Sequence, residues 1–159
     1  MINDPPLEII YTFVNEKDAI SNRDRRDVPK ILAIDALVTV KIAGDIYFQE
    51  EIAVLEFYKA LYQWRKQMTN TDTQKFDYFS IENDQEEGPI LSLLPFANKA
   101  RVKTIWPLVD VYNVFELVEA VKVFCELEES LKIEIERYFG IELKRFLKHI
   151  PYYFPLNND

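Results

Sequence analysis

The run Ile31 to Ile42 (ILAIDALVTVKI) constrains the fold of this chain more than any other segment. Its β-branched residues favour a strand, and Ala43-Gly44-Asp45 separates it from a second extended stretch, Ile46-Tyr47-Phe48. Gly44 supplies the backbone freedom that a tight turn needs, so the two stretches read as an antiparallel hairpin. A helix is expected to start close to Glu50, because Glu50 and Glu51 suit the positive end of a helix dipole, and to run to about Lys66. Ile52, Leu55, Tyr58 and Tyr62 make one stripe along it, and Val54, Phe57, Leu61 and Trp64 a second. Two adjacent stripes give a broad apolar face, which predicts a helix sandwiched against the sheet.

The remaining segments extend this plan. Leu7 to Val14 (LEIIYTFV) reads as a strand preceded by Pro5-Pro6, and Asn15 to Lys30 as an exposed, charged connection with one helical turn. Thr69 to Gln74 is a polar loop, and Phe76 to Ile81 a strand. Asn83 to Gly88 is a turn, Pro89 to Leu94 a returning strand, and Pro95 to Asn98 another turn. Arg101 to Trp106 alternates polar with apolar residues and reads as a half-exposed strand ended by Pro107.

From Tyr112 to about Glu128 the steps of Val114, Leu117, Val118, Val121, Phe124 and Cys125 are helical. The pattern continues through Leu131, Ile135 and Tyr138, with room for a break near Ser130, and Gly140 is the expected C-cap. Ile141 to Ile150 forms a final helix that Pro151 stops. The class is therefore α+β: a mainly antiparallel sheet of about five to six strands packed against a central helix and C-terminal helices. The length fits a single domain over residues 1–159, with no internal repeat in sequence.

Composition then narrows the chemistry. There are 27 Asp and Glu against 19 Lys and Arg, a net charge of -8, and only one His, one Cys and 3 Gly. Nucleophilic catalysis by Ser or Cys needs a nearby base, and the single candidate, His149, lies in a basic segment beside Lys148. Zinc sites need several Cys or His ligands, and no Glu-x-x-His pair accompanies Glu116 and Glu119. Gly44, Gly88 and Gly140 are too far apart for a phosphate-cradling loop. No catalytic residue, metal or cofactor is expected. Lone Cys125, among Val121, Phe124 and Leu127, reads as a buried reduced thiol. With no basic leader at the N-terminus and no long apolar run, the expected location is the cytoplasm.

What the chain does offer is segregated acid. Asp45, Glu50, Glu51 and Glu56 form one cluster; Asp77, Glu82, Asp84, Glu86 and Glu87 form a second; the long helix carries a third. Bases gather in Arg23 to Lys30, Lys99 to Lys103 and Lys144 to Lys148. Such polarity repels nucleic acid and anionic lipid and steers a basic protein partner to one side. The hairpin tip is the candidate contact, with Asp77, Tyr78, Glu82, Asp84, Glu86 and Glu87 supplying charge and an aromatic anchor. Acidic helices are also ordinary solvated faces, which is the plainer reading of the third cluster. The C-terminal Tyr152-Tyr153-Phe154 is read as docked on the core.

The segment DALVTVKIAGDIYFQEEIAVLEFYKALYQW, followed by FDYFSIENDQEEGPILSLLPF and ARVKTIW, resembles small acidic bacterial immunity proteins of polymorphic and contact-dependent toxin systems. The similar features are the order of strand, Gly-Asp turn, short strand, Trp-ended helix, and aromatic strand with Ser80 and Glu82, then further strands and an acidic helix. The likeness covers most of residues 31–128. It implies a non-enzymatic antitoxin that covers the active surface of one cognate toxin, often a basic nuclease, and it transfers no functional residue. The alternatives are a structural or regulatory self-associating module, possible as a homo-oligomer, and a small hydrolase with two carboxylates in a deep cleft.

Overall fold

The computed structural model describes residues 6–69, 72–83 and 85–153. The chain is α+β, but its strands form two antiparallel sheets rather than one. The first sheet has the order β1 (Leu7–Phe13), β2 (Asp35–Ile42), β3 (Asp45–Ala53). The second has the order β4 (Phe76–Tyr78), β5 (Leu91–Phe96), β6 (Lys99–Lys103), β7 (Val114–Glu116). Each sheet is a simple meander whose last strand runs directly into a long helix. Ala53 of β3 precedes α2 (Val54–Gln67), and Glu116 of β7 precedes α3 (Leu117–Phe139). Short helices α1 (Val28–Leu32) and α4 (Leu143–Phe146) complete the fold.

The expected hairpin forms, with Ala43 and Gly44 both at positive φ, as a tight turn between right-twisted strands requires. Its borders differ from expectation at both ends. Ile31 and Leu32 belong to α1, because Asp27 caps that helix by accepting from Lys30 N and Pro29 suits its first turn. At the other end, Glu50 and Glu51 lie in β3, not in a helix, because pairing with β2 continues to Asp35↔Ala53. The register shifts between Val40 and Lys41, which leaves Tyr47 as the extra residue of a bulge. Leu108 N donates to Tyr47 O at 2.8 Å and Asn113 Nδ2 donates to Tyr47 Oη at 3.4 Å. The segment after β6 is thereby strapped across the edge of β3.

α2 is the central helix. Val54, Leu55, Phe57, Tyr58, Ala60, Leu61 and Trp64 are all buried, and the helix packs against both sheets and α3. Phe57, Trp64, Phe76, Tyr78 and Phe124 form a chain of ring contacts with centroids 5.1 to 6.2 Å apart. This is where much of the aromatic content goes. α3 starts at Leu117, because Val114 to Glu116 pair with β6 as a strand. It is continuous past Ser130 and ends at Gly140, whose φ of 67° is the left-handed conformation expected of a C-cap. Its buried stripe is Ala120, Phe124, Leu127, Leu131, Ile135 and Phe139. The final helix is shorter than expected, but Leu143, Phe146 and Ile150 do point into the core.

Candidate functional site

The residues expected at the acidic hairpin do not form one contact surface. Tyr78 is 1% exposed, and its hydroxyl donates to Glu56 Oε1 at 3.2 Å, so it is a core residue and not an anchor. Phe79 is also buried, with Tyr153 against it at 5.4 Å between centroids. That contact docks Tyr153 on the core; Phe154 lies outside the described residues. Asp77 is paired with Lys75 at 3.3 Å on the outer face of the second sheet. Glu82, Glu86 and Glu87 are exposed, whereas Asp84 lies outside the described residues.

The turn that carries Glu82 is built around a buried carboxylate. Glu56, on α2 and 2% exposed, accepts from Ile81 N at 3.1 Å through Oε2 and from Tyr78 through Oε1. Ser80 also bonds to it. Burial pushes the Glu56 carboxyl above its ordinary value, these hydrogen bonds pull the other way, and Glu82 adds repulsion. Glu56 therefore belongs to the support of the turn. In the same way Glu128, expected on an acidic solvated face, is buried between α2 and α3. It accepts from Tyr58 Oη at 2.9 Å and Arg65 Nη1 at 3.1 Å. Burial, then the adjacent Glu128, pushes the Tyr58 hydroxyl well above its ordinary value.

The fold does bring together acids from segments distant in sequence. Asp35 opens β2, Glu51 lies on β3 opposite Leu37, and Glu82 follows β4. Burial raises the Asp35 carboxyl, and the charges of Glu51 and Glu82 raise it further. Glu51 and Glu82 are exposed, so together with half-buried Asp35 they make an acidic rim around the Glu56 turn. Sequence reasoning placed Glu51 and Glu82 in separate clusters and gave Asp35 no role.

A cleft of about 430 Å³ lies on the outer face of the second sheet, where Asp77 and Glu87 meet Lys75, Lys103, Phe79 and Ser92. Its charges are mixed, unlike the rim. Asp35 and Glu56, whose carboxyls are raised, do not line it. Among the described residues no group of three or more His, Cys, Asp or Glu is arranged to hold a metal ion. Cys125 is half-buried, and burial pushes its thiol upward. No helix among the described residues is long and apolar enough to cross a membrane.

These features define an α+β chain with two meandering sheets joined by helices, and with an acidic rim between them. The chain belongs to the family described as Domain of unknown function (DUF7878), whose model matches residues 9–137, from β1 to the last turn of α3. No curated protein matches the chain, and no solved structure matches it.

Proposed function

We propose that the protein is a non-enzymatic inhibitor of the immunity type, which binds a basic toxin domain in the cytoplasm. The observation that carries this reading is the convergence of Asp35, Glu51 and Glu82 from three chain segments onto one rim. Burial raises the Asp35 carboxyl first, the charges of Glu51 and Glu82 raise it further, and a basic partner would relieve that repulsion. Exposed Glu86 and Glu87 on the next turn extend the negative field. The resemblance of residues 31–128 to immunity proteins, read from order and composition in the sequence, points the same way. The test is capture of partners from a lysate of the native organism, at low and raised salt, with wild type and with the Glu51→Lys/Glu82→Lys double variant. One equimolar partner with a basic domain, lost at raised salt and slowed at least about tenfold by charge reversal, is the expected result. Equal capture by the double variant would remove the rim from the interface and sink the reading.

A second reading, a self-associating module, draws on the strap across β3. Leu108 and Tyr112 are 58% and 65% exposed there, beside a cleft of about 400 Å³ lined by Tyr47 and Val111. It predicts a defined oligomer by light scattering that Leu108→Lys dissociates. A monomer at all concentrations would dispose of it.

A further inference from the structure

The sequence separates two basic stretches, Arg23 to Lys30 and Lys144 to Lys148, by more than a hundred residues. The fold joins them. Glu142 N donates to Asn22 Oδ1 at 2.9 Å, which ties the start of α4 to the loop that carries Arg25 and Arg26. Arg25 Nη1 donates to Asn22 O at 3.1 Å, so its side chain is held on the same loop. Lys59 reaches over from α2 and donates from Nζ to Ile150 O at 2.7 Å, next to Lys148 and His149. Ile20, Ile31, Phe146 and Ile150 are buried and fix the backbones from below.

Arg26 and Lys148 are exposed; Arg25 and His149 are half-buried. Among the described residues none of these four side chains pairs with a carboxylate. The acids of the same segments are committed elsewhere. Asp24 bonds Lys30, Asp27 caps α1, and Glu142 pairs with Lys144 and Arg145. Burial lowers the His149 pKa, and Lys148, Arg26, Arg25 and Lys59 lower it further, in that order. In a chain of net charge -8, a group of cations without a counter-charge among the described residues is out of keeping with the rest of the surface. The repulsion within it would be relieved by an anion.

We propose that Arg25, Arg26, Lys148 and His149, with Lys59 beside them, form a binding site for a multiply charged oxyanion of the phosphate class. Arginine presents planar pairs of donors that match tetrahedral oxyanions, while lysine adds a point charge. A phosphate group carries about -1.5 to -2 at neutral pH, enough to offset two of these cations at once. The site shares no residue with the acidic rim and stands whether or not the chain is an inhibitor.

His149 is the single histidine, so its imidazole protons report the site without assignment ambiguity. The intact protein is titrated with inorganic pyrophosphate at fixed low ionic strength, and the His149 signals are followed by proton NMR. The expected result is a saturable shift and a rise in the His149 pKa, because a bound anion favours the imidazolium. Arg26→Glu and Lys148→Glu, both at exposed positions, should each weaken binding about tenfold, the loss of one charge-assisted contact. Three results would overturn the proposal: no saturable shift at millimolar pyrophosphate, an equal shift from acetate at the same ionic strength, or unchanged titrations in both variants. Circular dichroism of the variants separates loss of binding from loss of fold.

Discussion

The first sheet with α2 and the second sheet with α3 are built to the same plan, yet they spend their helices differently. In both, antiparallel strands meander and the last strand enters a helix without a loop. α2 is buried on most of its circumference, wedged among both sheets and α3. α3 is longer but buries one stripe, and Val118 and Ile133 on its other side are 76% and 53% exposed. A helix with neighbours on several sides becomes the core; a helix with neighbours on one side becomes its cover. The same contrast governs the acids. Glu56 on α2 and Glu128 on α3 face inward and each accepts hydrogen bonds, whereas the acids on the outer side of α3 meet water.

The sharpest way to break this comparison is to hollow out each helix in turn. Phe57→Ala on α2 should lose about 3–5 kcal/mol of stability in urea unfolding, whereas Val118→Ala on α3 should stay within about 0.5 kcal/mol. Similar losses at the two sites would mean that α3 is not merely a cover. A smaller effect is expected where the helices meet. Glu128→Ala leaves the Tyr58 hydroxyl and part of Arg65 without an acceptor and should cost about 2 kcal/mol. Its exposed neighbour in the same network, Glu129→Ala, should cost about 0.5 kcal/mol or less.

Smaller again is the pH effect at Glu56. Its folded pKa lies above the ordinary value of 4.5, so the folded state holds the proton more tightly than the unfolded chain. Stability from this group is therefore fully present below pH 4.5 and is lost as pH rises through the raised value. The stability of wild type relative to Glu56→Gln should decline over that window and level off above it. A flat difference would show that Glu56 titrates normally and that its hydrogen bonds balance burial. The smallest effect concerns the rim. Glu51→Gln removes one of the charges acting on Asp35, and carbon NMR of the Asp35 carboxyl should show its pKa move down toward the ordinary value.

How much of this was legible follows from which interactions are local. The turn at Gly44, the broad apolar face of α2, the periodicity of α3 and the Gly140 cap depend on residues a few positions apart and appear largely as read, although Ile52 lies on β3, Val114 on β7 and Val118 is exposed. The start of α2 was misplaced because Glu50 and Glu51 favour a helix end locally, while pairing with β2 holds them extended. β7 was hidden inside an amphipathic pattern, since Val114 and Phe115 suit a strand as well as a helix until β6 is beside them. Tyr78 looked like an anchor because it adjoins acids in sequence; alternation along β4 turns it inward and leaves Asp77 outward.

By itself, then, the sequence determined the α+β class, the hairpin and both long helices, because periodicity and turn chemistry act over one or two turns of chain. Only the tertiary structure decided that the strands divide into two sheets, since that rests on which segments α2 keeps apart. It also decided the acidic rim. Counted from the turn without the bulge, Glu51 would stand opposite Ala36 on the buried face; the extra residue at Tyr47 moves it opposite Leu37, on the same face as Asp35. The basic group around His149 likewise exists only through the bonds that tie Asn22 to Glu142 and Lys59 to Ile150. Charge clusters in sequence follow chain order, but fields act through space, and it is the fold that sets those distances.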